Sequence, residues 1–207
     1  MNPAKVLSWI VAACFLPGSL FAASDGTKSG TVKGRITIAG KPTQDVVVSI
    51  EGVDPKQVKA DLANVKLKKA VMDQRGMKFI PTALPVVAGT TVEFPNNDNT
   101  FHNVYSKGGA KDFDLGLYPS GQTRSTMFEK RGVARILCNA HPNMEAFIVI
   151  KEHPYFSGAD NRGNYQIGNV PLGKARLEVW HPTLGTRTVP VNVSRAGEVI
   201  ALDIDLK

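Results

Sequence analysis

The chain has 207 residues, 43% hydrophobic and 21% charged, a balance that excludes a disordered protein and suffices for one large or two small cores. Its formal charge is +7, yet the Lys and Arg residues are scattered and no basic run interleaves with aromatics, so nucleic acid is not an expected partner. A solvated, mildly basic surface that favours acidic partners is the expectation.

Residues 1–23, MNPAKVLSWIVAACFLPGSLFAA, place Lys5 ahead of an apolar run from Val6 to Phe21 that ends in small residues, the pattern of a secretory signal peptide. The run is short for a membrane span and a polar segment follows it, so the mature protein is expected to be periplasmic without stable membrane insertion. Val11-Ala12-Ala13-Cys14 is similar to a lipobox, but the apolar run continues past Cys14, which disfavours a lipoprotein. Loss of the leader leaves Cys138 as a lone thiol in an oxidising compartment. Intermolecular pairing, a reactive nucleophile, a buried spectator and a metal thiolate are the open explanations.

Nineteen glycines, thirteen prolines and short Val/Ile/Thr-rich runs predict an all-β chain. Residues 30–53 predict two strands, over 32–38 and 46–50, around the turn Gly40-Lys41-Pro42. Asp54 as N-cap and Pro55 at the first helical position predict a short polar helix over 55–64, within a connector spanning 54–65. Residues 70–105 hold strand-like stretches broken by Gly76, Pro81, Pro85, Gly89 and Pro95. The glycine-rich segment 106–122 is expected to be a loop; its SKGGAK lacks the Lys-Ser/Thr ending of a phosphate-binding loop. Strands are predicted over 123–128, 133–138 and 145–151, and four more follow around Tyr165, 175–180, 186–193 and 199–206.

Between two of these strands lies Cys138-Asn139-Ala140-His141-Pro142-Asn143-Met144, which puts a thiol, an imidazole and a thioether within seven residues. Sulfur ligands suit copper, whereas Mg²⁺ and Ca²⁺ want oxygen. A second imidazole is available at His102, after Phe94-Pro95-Asn96-Asn97-Asp98 and at the end of a remote strand. Two histidines, one cysteine and a weak axial methionine are the donor set of a blue-copper electron-transfer site. Metal binding would also deprotonate Cys138 and account for its lack of a disulfide partner. Zinc at His102, Cys138 and His141 is the competing reading, but it leaves Met144 without a role. His153 and His181 stand in His-Pro pairs without neighbouring ligands, and Met72, Met77 and Met127 read as packing residues.

FPNNDNTFHNV, followed thirty-six residues after His102 by CNAHPNM, resembles the cupredoxin family. The short Cys-x-x-His-x-x-Met loop is similar to that of its amicyanin branch. MDQRGMKFIPTALPVVAGTTVEFPN and FDLGLYPSG resemble plastocyanin-like proteins often labelled methylamine-utilisation proteins. The resemblance covers residues 66–152. It implies a Greek-key β-sandwich or barrel and one type 1 copper ion held by His102, Cys138, His141 and Met144. It also implies that Asn103 ties the two ligand loops together, with Asn139 as its partner.

Residues 30–53 and 153–207 resemble the two halves of a carboxypeptidase regulatory-like, transthyretin-like β-sandwich, which suggests that the copper domain is inserted between them. A simple N-terminal extension followed by a separate C-terminal sandwich is the alternative. The expected function is one-electron transfer between transient protein donors and acceptors, by a carrier and not an enzyme. A copper storage or delivery protein and a structural module stabilised by copper are the alternatives.

Overall fold

The computed structural model describes residues 28–207, so the expected leader and Cys14 lie outside the described residues. In chain order the strands are β1 (Ser29–Ile38), β2 (Lys41–Pro42) and β3 (Val47–Glu51), and helix α1 (Pro55–Ala63) follows. Next come β4 (Ala70–Val71), β5 (Asp73–Gln74), β6 (Phe79–Ile80), β7 (Ala83–Val87), β8 (Thr90–Pro95), β9 (His102–Ser106), β10 (Phe113–Tyr118), β11 (Thr123–Phe128), β12 (Gly132–Leu137) and β13 (Glu145–Lys151). The last six are β14 (Phe156–Gly158), β15 (Asn164–Pro171), β16 (Gly173–His181), β17 (Gly185–Val193), β18 (Val199–Ala201) and β19 (Ile204–Leu206).

Alternation of apolar and polar residues builds two separate cores. In β1, Val32 and Ile36 point inward while Lys33 and Arg35 stay exposed, as the two-residue period of a strand requires. Their core also contains Val48, Ile50, Tyr165, Ile167, Leu177, Val179, Val191 and Leu206. It therefore draws on chain from both sides of the 66–152 segment. Its sheets have the orders β15-β1-β18, with β2 and β19 also paired to β1, and β14-β3-β16-β17. The second core, around Met72, Phe79, Phe94, Val104, Phe128, Ile136 and Ile148, lies within the inner segment. Its sheets are β10-β9-β12-β13-β7 and β11-β8-β4, two open layers. Each fully buried aliphatic or aromatic side chain contributes about 1.5–3 kcal/mol.

Two expectations need correcting. Within 106–122, residues 113–118 form β10, paired antiparallel with β9 across a register shift between Asp114 and Leu117. Gly116, at φ 69°, and the Asp114 carboxylate that accepts its amide at 2.7 Å make this irregularity, so a real strand carries the local signature of a loop. The final strand is also split. β18 and β19 both run parallel to β1, and between them Asp203 Oδ1 accepts the Arg35 amide at 2.8 Å in place of a main-chain partner. Gly34 is required there, since a Cβ would lie 1.9 Å from the Leu202 carbonyl oxygen.

Helix α1 starts as its sequence implies, with the Asp54 carboxylate accepting the Lys56 amide at 2.7 Å. Val47, Ala83 and Val149 pack together where the outer and inner units meet, and the Phe147 and Trp180 rings touch edge to face at 5.5 Å. Beside them Lys151 Nζ donates to Glu51 and Glu178, each at 2.8 Å. Among the described residues no helix is long and apolar enough to cross a membrane.

Candidate metal centre

The antiparallel pairing of β12 with β13 ends at Leu137 opposite Glu145, so residues 138–144 are the loop that closes this hairpin. The loop folds back on itself through the Met144 amide, which donates to the His141 carbonyl at 3.0 Å. Strand β9 lies beside β12, with Tyr105 opposite Leu137, and this brings His102 to the same end of the sheet. Three ring and thiol atoms converge there: Nδ1 of His102 and Nδ1 of His141 are 3.0 Å apart, and Cys138 Sγ is 3.9 Å from the first and 3.7 Å from the second. Among the described residues these three form the one cluster of potential His, Cys and carboxylate ligands tight enough to share an ion.

The spacing fits a metal. The point equidistant from the three atoms lies about 2.1 Å from each, inside the range of about 2.0–2.3 Å for nitrogen and sulfur bonds to a zinc-sized first-row ion. His102 and Cys138 are buried at 0% and 4% exposure, while His141 is partly exposed. Met144, 1% exposed, belongs to the same apolar cluster as Cys138. A soft donor set in apolar surroundings suits copper better than a hard cation.

Hydrogen bonds hold the two segments that carry these candidate ligands in register. The Asn103 amide points at Cys138 Sγ at 3.5 Å, and Asn103 Oδ1 accepts the Asn139 amide at 3.3 Å. Asn103 Nδ2 donates to Asp114 Oδ1 at 2.6 Å, which fixes the side chain's orientation from β10. Tyr118, opposite His102 on β10, has its hydroxyl pKa pushed up to about 12 by burial, so it remains a neutral donor, to the Phe94 carbonyl at 2.9 Å.

The structure thus brings together His102, Cys138 and His141, places Met144 in the adjoining core, and links Asn103 to Asn139. Two contacts were not foreseen: Asp114 on Asn103, and Asp98 on His102, whose Nε2 lies 2.8 Å from Asp98 Oδ2. Asp98 stands four residues before His102 in an Asn/Asp-rich turn, a spacing that signals contact only once the turn is known. The other histidines are engaged elsewhere. His153 Nδ1 accepts the Tyr155 amide at 3.3 Å, and His181 Nδ1 accepts the Thr183 and Leu184 amides, each at 3.2 Å. Met72 is core, whereas Met77 and Met127 are exposed.

Residues 65–151 match the family described as copper binding proteins, plastocyanin/azurin family. Amicyanin-alpha of Methylorubrum extorquens is 32% identical over 78 residues, covering 36% of this chain and 66% of that protein, so the chain spans slightly less than two thirds of that relative. Among solved structures, an oxidised amicyanin variant aligns at 28% identity and a TM-score of 0.39, covering 43% of this chain and 88% of the other. A copper-containing nitrite reductase from Thermus scotoductus SA-01 aligns at 25% identity and a TM-score of 0.40, covering 42% and 23%. The inner segment thus has an all-β, cupredoxin-like fold and matches this copper-binding family over residues 65–151, and the cofactor that the match supports is copper.

Proposed function

We propose that this protein is a periplasmic carrier of single electrons, with copper held by His102, Cys138, His141 and Met144, and that it is not an enzyme. The observation that supports this reading most directly is the convergence of the His102 imidazole on β9 with the Cys138 thiol and His141 imidazole of the β12–β13 loop to within 4.8 Å, with only His141 partly open to solvent. Bound there, copper supplies a one-electron couple between Cu(I) and Cu(II).

The chain's own residues determine how that couple behaves. Burial of Cys138 and His102 excludes water and holds the donors in one arrangement, so little has to move when the charge changes. The Asn103 amide, directed at the sulfur, fixes the position of the Cys138 side chain against β9. Asn103 and Asn139 keep the two loops at fixed spacing. His141, flanked by exposed Ala140 and Pro142, is where a partner protein approaches most closely. A small apolar rim suits a short-lived redox complex, and the scattered positive charge would raise the encounter rate with acidic partners. Neither nucleic acid nor a membrane is part of this reading. The outer unit, read as a carboxypeptidase regulatory-like sandwich, contributes no chemistry.

The test is to load the purified protein with Cu(II) and follow its visible absorption through cycles of reductant and oxidant. An intense band that bleaches and returns is the expected result. Rapid loss of copper to a mild chelator would favour storage or delivery instead, and a bound metal without redox cycling would favour a structural role.

A further inference from the structure

His102 is fully buried, so no solvent sets which ring nitrogen carries its proton. Its Nε2 lies 2.8 Å from Asp98 Oδ2, while Nδ1 faces His141 and Cys138. A carboxylate only accepts, so it keeps hydrogen on Nε2 and leaves the Nδ1 lone pair free for a metal. Asp98 is itself held: Oδ1 accepts the Gly76 amide at 2.5 Å, and Oδ2 accepts the Met77 amide at 2.9 Å. These amides belong to the turn between β5 and β6. That turn is fastened to the β8 end by the Asn97 amide on the Gln74 carbonyl at 2.9 Å and by Asn97 Nδ2 on Asp73 at 2.7 Å. From the other side Asn96 Oδ1 accepts the Asp98 amide at 3.1 Å, and Asn96 Nδ2 donates to the Thr100 carbonyl at 2.8 Å. The carboxylate therefore sits in a preformed backbone cradle with one oxygen turned to the ring.

We propose that Asp98 is the positioning residue of this centre, fixing the tautomer and orientation of His102 and placing a negative charge one imidazole away from the metal. The inference rests on reading His102 as a copper ligand and extends it to the group that tunes the ligand. With its side chain 13% exposed, Asp98 is only partly screened by water. Its charge favours Cu(II), which carries one positive charge more than Cu(I), and so lowers the reduction potential.

The test uses the full chain and its Asp98→Asn variant, which keeps the size of the side chain but removes the charge and one of its two acceptor oxygens. Cu(II) affinity is measured by chelator competition, the potential by voltammetry, and the His102 tautomer by nitrogen NMR of copper-free protein at a pH where the ring is neutral. Expected are a loss of about 10- to 100-fold in Cu(II) affinity, a higher potential, and retention of the thiolate band. The unsubstituted protein should show His102 with hydrogen on Nε2.

Unchanged affinity and potential in the variant, or a His102 proton on Nδ1 in the unsubstituted protein, would overturn the role of Asp98 and leave the carrier reading standing. If the unsubstituted protein takes up no copper, the carrier reading and the tuning of copper by Asp98 fall together, while the tautomer still decides whether Asp98 orients His102. Should Asp98→Asn fail to fold, the tautomer in the unsubstituted protein decides.

Discussion

The dipeptide His-Pro occurs three times in this chain, once in the inner unit at His141 and twice in the outer unit at His153 and His181. The three histidines have different surroundings. In the outer unit Nδ1 of each is taken up by amides one turn ahead, so the imidazole serves as a cap for its own bend. In the inner unit Nδ1 of His141 faces a second histidine and a cysteine brought by β9 and β12. Local sequence thus sets up a bend in all three places, and the arrival of a remote strand makes one of them part of a candidate metal site.

Replacing Cys138 by Ser breaks this contrast most completely. The intense visible band should disappear, because it requires sulfur-to-copper charge transfer, while circular dichroism should still report a folded β protein. A surviving band would remove the thiolate from the site.

The next effect in size tests the junction rather than the bends. Lys151 has a side chain only 6% exposed between Glu51 and Glu178, so Lys151→Met removes the cation these carboxylates share, leaving Glu51 with Arg131 at 3.6 Å and His153 at 3.2 Å. Loss of one partner of such a buried group costs about 3–5 kcal/mol, measurable by denaturant unfolding. The same cluster gives a pH dependence. Burial would raise the Glu51 pKa, but hydrogen bonds and charge from His153 and Lys151 outweigh it and hold the carboxyl well below its ordinary 4.5. Its contribution to stability is therefore complete above pH 4.5 and is lost as the pH falls below that. An unfolding free energy that is flat from pH 5 to pH 3 would contradict the assignment.

His181→Ala sharpens the comparison from the other side. Two amides lose their acceptor, at a cost of about 1–3 kcal/mol, whereas copper affinity should not change. Burial, opposed by the Asp45 charge, holds the His181 pKa below 6.5, so its neutral form is favoured by the fold. The stability it supplies is full above pH 6.5 and fades on acidification, and the variant should lose that part of the slope. The smallest expected change is in Met144→Leu, which should retain copper and colour and raise the reduction potential, because a weak thioether donor is removed. A potential identical to that of the unsubstituted protein would argue against axial ligation.

Much of the inner unit could be read in advance because its chemistry is local. Cys138, His141 and Met144 lie within one hairpin loop, and short apolar runs mark β12 and β13 on either side. What escaped reading depends on segments far apart in sequence. Asp98 gains meaning only when the β5–β6 turn and His102 are seen to converge on it. β10 is hidden by Gly116 and by Asp114, whose side chain does the work of a backbone partner. The break between β18 and β19 comes from Asp203 reaching Arg35, 168 residues earlier. Lys151, at the end of an apolar strand, carries no local sign that two glutamates await it.

The arrangement of β1 beside β18 and β19 has a mechanical consequence. These strands are parallel, with residue 29 near one end of the pair and residue 206 near the other, so tension applied between residues 28 and 207 loads their hydrogen bonds in shear. The inner unit hangs between β3 and β14, which are themselves paired. Force therefore bypasses His102, Cys138 and His141 until the outer sandwich has torn open. In a pulling experiment the outer unit should act as a fuse, giving way first while the metal site stays intact behind it.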